Sequence, residues 1–130
     1  GRMARLDPEL LERAERFAHR VVDVADALAG EPRFRRVVDQ LTGCGTSVGA
    51  NTAEADEALS RADFCRILGI TLRELSECRF WVRFIAARGW VPQERLAPLS
   101  EECLALRRIF GAMVSRVRRN DADEPASEPG

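Results

Sequence analysis

The sequence predicts an all-α protein, an antiparallel up-down-up-down four-helix bundle, on three observations. Apolar residues recur at spacings of three and four through four long segments. Short breaks bearing Gly, Pro or Ser separate those segments. No stretch alternates apolar with polar residues over the length of a strand. At 130 residues one core suffices, because a domain near that size buries roughly two-thirds of its unfolded-chain surface. The reading places the bundle over residues 8–119, with 1–7 as an N-terminal extension and 120–130 as an acidic, disordered tail.

The first helix should run from Pro8 to Ala29. Asp7 can cap it, Pro8 suits the first helical position and Glu9 favours the positive end of the dipole. Leu10, Leu11, Ala14, Phe17, Val21, Val24 and Leu28 form its apolar stripe, and Gly30 with Pro32 stops it. The second helix is expected to start near Arg33, with Phe34, Val37, Val38, Leu41, Cys44 and Val48 on one side. Its middle holds Gly43, Gly45 and Gly49, each costing a helix about 1 kcal/mol relative to alanine. A continuous or kinked helix is the expected outcome, the small residues admitting another backbone.

Ser60-Arg61-Ala62-Asp63 has the form of a capping box ahead of an apolar run. The third helix then carries Phe64, Ile67, Leu68, Thr71, Leu75, Cys78, Val82 and Ile85, and Gly89 is placed to be its left-handed cap. The fourth lies within Pro92 to Arg119 on a stripe of Leu99, Cys103, Leu106, Phe110, Met113 and Val117, with Pro98 in its first turn or at its start. Arg116, Arg118 and Arg119 would then face the negative end of its dipole. Phe80, Trp81, Phe84 and Trp90 exceed what one seam needs. They serve either a wide intramolecular face or a candidate subunit interface.

Net charge is −1, but Asp121, Asp123, Glu124 and Glu128 all fall in the last eleven residues; without them the remainder carries about +3. All 20 basic residues are arginine, which removes Schiff-base and Walker-type lysines from consideration. Cys44, Cys65, Cys78 and Cys103 contain no C-x-x-C pair, so buried free thiols are expected and no metal site. Neither a leader-like segment nor an apolar run of membrane-spanning length is read in the sequence, which gives a cytoplasmic expectation and no membrane partner.

Most chemical-looking patterns fail on context. Gly45-Thr46-Ser47-Val48-Gly49 fits G-x-S-x-G, yet a nucleophile elbow needs a strand before it and a histidine after it, and the one histidine is His19. His19, between Glu15 and Asp23 on its helix, reads as a solvated surface residue. A di-iron carboxylate bundle would need Glu-x-x-His pairs on two helices. No catalytic residue, cofactor or metal is expected. Arg33, Arg35 and Arg36, with Arg107, Arg108, Arg116, Arg118 and Arg119, are candidate nucleic-acid contacts if an oligomer repeats them around a ring.

The second helix carries a resemblance. Gln40-Leu41-Thr42-Gly43-Cys44-Gly45-Thr46-Ser47-Val48-Gly49-Ala50-Asn51-Thr52-Ala53-Glu54-Ala55 is similar to the motif Gln-Ile-Arg-Arg-Ala-Ala-x-Ser-Ile-Pro-x-Asn-Ile-Ala-Glu-Gly. That motif belongs to the four-helix bundle proteins related to the protein encoded in 23S ribosomal RNA intervening sequences. Gln40, Ser47, Asn51, Ala53 and Glu54 match, and Phe64, Leu68, Ile70, Leu72, Leu75, Glu77 and Arg88-Gly89-Trp90 extend the likeness over residues 8 to 118. Thr42 and Gly43 stand where the family has paired arginines, Gly49 where it has proline, and Ala55 where it has its final glycine.

The resemblance implies an up-down bundle, a homopentamer and no established chemistry. One branch, the accessory protein of diversity-generating retroelements, resembles a basic pentamer that binds a reverse transcriptase and nucleic acid. Ser47, Asn51 and Glu54 share one helix face. These three are expected to form a buried network anchoring the second helix to the third or to a neighbouring subunit, with Gln40 completing the motif's polar face. The function expected is a non-enzymatic homo-oligomeric scaffold meeting a protein partner, the alternative a nucleic-acid-binding accessory protein.

Overall fold

A computed structural model describes residues 6–123. Four α-helices follow in order: α1 (Pro8–Leu28), α2 (Arg35–Asp56), α3 (Arg61–Arg88) and α4 (Gln93–Asp123), with a 3-10 turn over Pro32–Phe34 before α2. No strand occurs among the described residues.

Local chemistry sets most of the ends. Asp7 caps α1 by accepting a hydrogen bond at Oδ1 from the Glu9 N–H at 2.8 Å. Ser60 caps α3 the same way, its Oγ accepting from the Asp63 N–H at 3.0 Å. At the other end of α3, Gly89 adopts φ 72°. Its N–H donates to the Ala86 carbonyl at 3.0 Å and the Trp90 N–H to the Ile85 carbonyl at 3.2 Å. This pair of bonds is the Schellman arrangement, which a residue with a Cβ enters only at a cost.

Two boundaries differ from expectation. α2 begins at Arg35, not near Arg33, because Pro32 opens a tighter turn closed by the Phe34 N–H on the Glu31 carbonyl at 3.0 Å. α4 begins at Gln93 and runs to Asp123, so Pro98 lies in its second turn and leaves the Glu94 carbonyl without its helical donor. Asn120 to Asp123 are thus helical, not tail, and Arg116, Arg118 and Arg119 sit before the last turn, not in it. Residues 1–5 and 124–130 lie outside the described residues.

α2 passes unbroken through its glycines. A Cβ on Gly45 would stand 2.7 Å from Val21 Cβ, and one on Gly49 3.2 Å from Ala18 Cβ. The missing side chains are where α1 lies closest. Gly43 meets nothing within 4 Å, so its absent side chain serves no packing.

Successive helices pack on one another, while α1 and α4 touch only sparsely. The Leu6 N–H donates to Asp56 Oδ1 at 2.8 Å, bringing the start of α1 to the end of α2. Arg61 at the start of α3 donates to Asp121 near the end of α4 at 2.9 Å. Between them lies one apolar core, with Phe17, Val21, Leu41, Val48, Phe64, Leu68, Leu75, Ile85, Leu106 and Phe110 essentially out of water. Each such side chain contributes about 1.5–3 kcal/mol. On α4 Val114 is buried, whereas the expected Met113 and Val117 are only half-buried. Among the described residues Thr52 and Thr71 are the buried polar ones, and their hydroxyls donate to the Val48 and Ile67 carbonyls at 2.6 and 3.0 Å. Burying them leaves no hydroxyl unsatisfied.

Candidate functional site

The aromatic residues of α3 and the turn after it form a connected row. Phe80 meets Trp81 edge-on with centroids 4.9 Å apart, Trp81 meets Phe84 at 5.8 Å, and Phe84 meets Trp90 at 5.7 Å. Trp90 reaches Phe34 at 4.2 Å, and the Arg33 guanidinium lies over the Phe34 ring at 4.4 Å. Edge-to-face and offset contacts of this kind are the favoured aromatic geometries. Phe34 is buried and Trp81, Phe84 and Trp90 are half-buried. Phe80, by contrast, is 56% exposed. The row therefore starts in the core and ends in water.

The motif residues of α2 lie differently. Gln40, Ser47 and Asn51 are half-buried and Glu54 is exposed. Among the described residues no side-chain hydrogen bond or ion pair joins any of the four to a partner within the chain. No network from these side chains to α3 is thus formed inside one copy.

The arginines fall into separate groups. Arg33, Arg35 and Arg36 are exposed at the end where Phe34 meets Trp90. Arg116, Arg118 and Arg119 are exposed toward the opposite end, where Arg61 meets Asp121. Arg107 and Arg108 are exposed between them along α4. One copy does not gather them into a single patch. Arg33 is further engaged by Glu31 at 3.5 Å.

Ser47 lies inside unbroken α2, without the strand-to-helix turn that exposes a hydrolase serine. His19 is on the surface, its Nε2 4.0 Å from Glu15 Oε1. No group of three or more potential metal ligands occurs among the described residues. All four cysteines are free thiols and buried. None of the described helices is long and apolar enough to cross a membrane.

Two groups of contacts were not legible in the sequence. Arg13 on α1 and Glu102 on α4 form a bidentate ion pair. Nothing in a sequence spacing of 89 residues marks it. On the other side of α4, a groove of about 420 Å³ opens between α3 and α4, lined in part by Arg79, Arg83, Leu96 and Leu104. The Arg79 Nε is buried there without a hydrogen-bond partner.

Comparison with known proteins supplies the context for this geometry. The sequence matches the family described as 23S rRNA-intervening sequence protein over residues 7–112. Among solved structures it resembles a protein of unknown function from the S23 ribosomal protein family of Bacteroides thetaiotaomicron VPI-5482. The two share 27% sequence identity at a TM-score of 0.76, over 81% of this chain and 97% of that one. Among curated proteins nothing matches. With four helices in place and the match spanning from the cap of α1 into α4, this chain belongs to the 23S rRNA-intervening sequence protein family.

Proposed function

We propose that this chain is a non-enzymatic, cytoplasmic scaffold whose four helices run up-down-up-down and which assembles with copies of itself through the Phe80, Trp81, Phe84 and Trp90 row. The observation that carries the reading is the exposure of Phe80 at the end of a contiguous aromatic row. Isolated surface apolar residues need no explanation; an aromatic continuous with the core has the composition of an interface centre. The up-down course is supported by the reversals at Leu6–Asp56 and Arg61–Asp121. Five copies is the number the family resemblance implies. The side chains of Gln40, Ser47, Asn51 and Glu54, which find no hydrogen-bond or ion-pair partner among the described residues, are then available to a neighbouring subunit or a protein partner.

Native mass spectrometry and light scattering test the assembly. A mass near five times the 14.5 kDa of one chain is expected. A monomer at micromolar concentration overturns it.

A second reading rests on Arg35 and Arg36, both exposed and neither ion-paired among the described residues, beside Arg33. Repeated around an oligomer, they would form a basic ring for RNA or single-stranded DNA, with a partner enzyme such as a reverse transcriptase. Binding that is absent at low salt excludes it.

A further inference from the structure

Cys44 of α2 and Cys78 of α3 face each other in the core, with their Sγ atoms 3.0 Å apart. The contact is ordered: the Cys78 thiol donates to Cys44 Sγ, and the Cys44 thiol donates to the Leu41 carbonyl at 3.4 Å. Both residues are at most 2% exposed. Cys65 and Cys103 also lie in the core. Cys103 is near enough to the pair to feel it electrostatically, but among the described residues the sulfur–sulfur hydrogen bond is that of Cys78 with Cys44. We infer that Cys44 and Cys78 are a latent covalent cross-link site, a dithiol that a small peroxide converts to a disulfide joining α2 to α3.

The chemistry balances with hydrogen peroxide as the oxidant. One cysteine, as thiolate, attacks a peroxide oxygen and becomes a sulfenic acid with release of hydroxide, which takes up the displaced proton as water. The second sulfur then attacks the sulfenic sulfur, and its proton leaves with the hydroxyl as a second water. Two S–H bonds and the O–O bond are lost, and one S–S bond and two O–H bonds are gained. Placement favours this pair, because the resolving sulfur is already in contact.

Burial governs the rate. The hydrogen bond to Cys44 and removal from water hold the Cys78 thiol far above the ordinary cysteine range, and burial pushes Cys103 up to about 12. A thiol held protonated reacts slowly, since the thiolate is the nucleophile. Oxidation should therefore follow transient opening of the α2–α3 seam and be slower than for an exposed cysteine. Once made, the bond closes a loop between residues 44 and 78, whose constraint on the unfolded chain stabilises the fold.

Trypsin separates the four thiols, because arginines bracket each one: Cys44 falls in peptide 37–61, Cys65 in 62–66, Cys78 in 74–79 and Cys103 in 96–107. The folded full-length chain is treated with hydrogen peroxide, alkylated after unfolding and digested without reductant. Expected is one cross-linked species joining 37–61 to 74–79, with Cys103 alkylated and the thermal midpoint raised by about 10 °C. The link should persist in the Cys103→Ser chain and vanish in Cys78→Ala. Four alkylated cysteines, a link to 96–107 or 62–66, a disulfide between chains, or a lowered midpoint in the linked protein each overturn the assignment.

Discussion

Arg13 of α1 holds Glu102 of α4 in a two-point grip, Nε to Oε2 at 2.8 Å and Nη2 to Oε1 at 2.6 Å. The helices share little other surface, so this fork is the principal polar tie between the first helix and the last. The Glu102 side chain is 16% exposed and that of Arg13 36%. Paired parallel bonds make the arrangement stronger than an ordinary surface pair.

Glu102→Gln should therefore cost about 1 kcal/mol in urea unfolding at neutral pH. The hydrogen bonds from Arg13, with the positive charge of Arg13, Arg20 and Arg16, hold the Glu102 carboxyl below its ordinary value. A carboxylate depressed in the folded state stabilises fully above the unfolded pKa of about 4.3. That stabilisation fades as pH falls through the lower folded value. The difference between wild type and Glu102→Gln should shrink over that acidic window. A difference that stays constant down to pH 2 would show that the pair contributes no linkage.

Gly43 and Gly45, two residues apart in α2, should not respond alike to alanine. Gly43→Ala enters open space and should stabilise by about 0.5–1 kcal/mol through helix propensity. Gly45→Ala brings a methyl within 2.7 Å of Val21 Cβ and should destabilise by about 1–3 kcal/mol despite the same propensity gain. Denaturant midpoints of the two variants are the measurement; equal shifts would mean that α1 does not approach α2 at Gly45.

Phe80→Asp separates assembly from folding better than a change at Trp81. Phe80 is mostly in water already, so its replacement should move the stability of one copy by less than about 1 kcal/mol. Light scattering should nonetheless show the mass falling toward 14.5 kDa. Trp81→Arg strikes a half-buried ring packed against Phe80 and Phe84, and should disturb both. An unchanged mass for Phe80→Asp would place the interface elsewhere.

If the arginines at the start of α2 engage single-stranded nucleic acid, three phosphate contacts per copy give a slope of log affinity on log salt of about −2. Arg35→Ala combined with Arg36→Ala should flatten it. Affinity indifferent to salt, or a slope the double variant leaves intact, would remove these residues from the contact.

The ends of α1 and α3 were readable because each is fixed by a few neighbouring atoms. Asp7 and Ser60 cap through N–H groups two and three residues on, and Gly89 closes α3 through bonds that span at most five residues. The stripe through Phe64, Leu68, Leu75 and Ile85 was readable because a helix repeats its face every 3.6 residues whatever it packs against. The later end of α4 was missed. Its acidic residues read as a solvated tail, yet Asp121 is helical and bonded to Arg61 sixty residues away.

The sequence by itself determined four helices, their caps and the family, since backbone hydrogen bonding and side-chain periodicity are local. Only the tertiary structure decided that Gly45 admits Val21 while Gly43 admits nothing, that Arg13 finds Glu102, and that of four cysteines Cys44 touches Cys78. It also left the side chains of Ser47, Asn51 and Glu54 without a hydrogen-bond or ion-pair partner among the described residues of one copy. Those relationships depend on how far each helix is turned about its axis and how closely it nests on its neighbour. Such rotations are settled by the packing of the whole core at once, and no short window of residues encodes them.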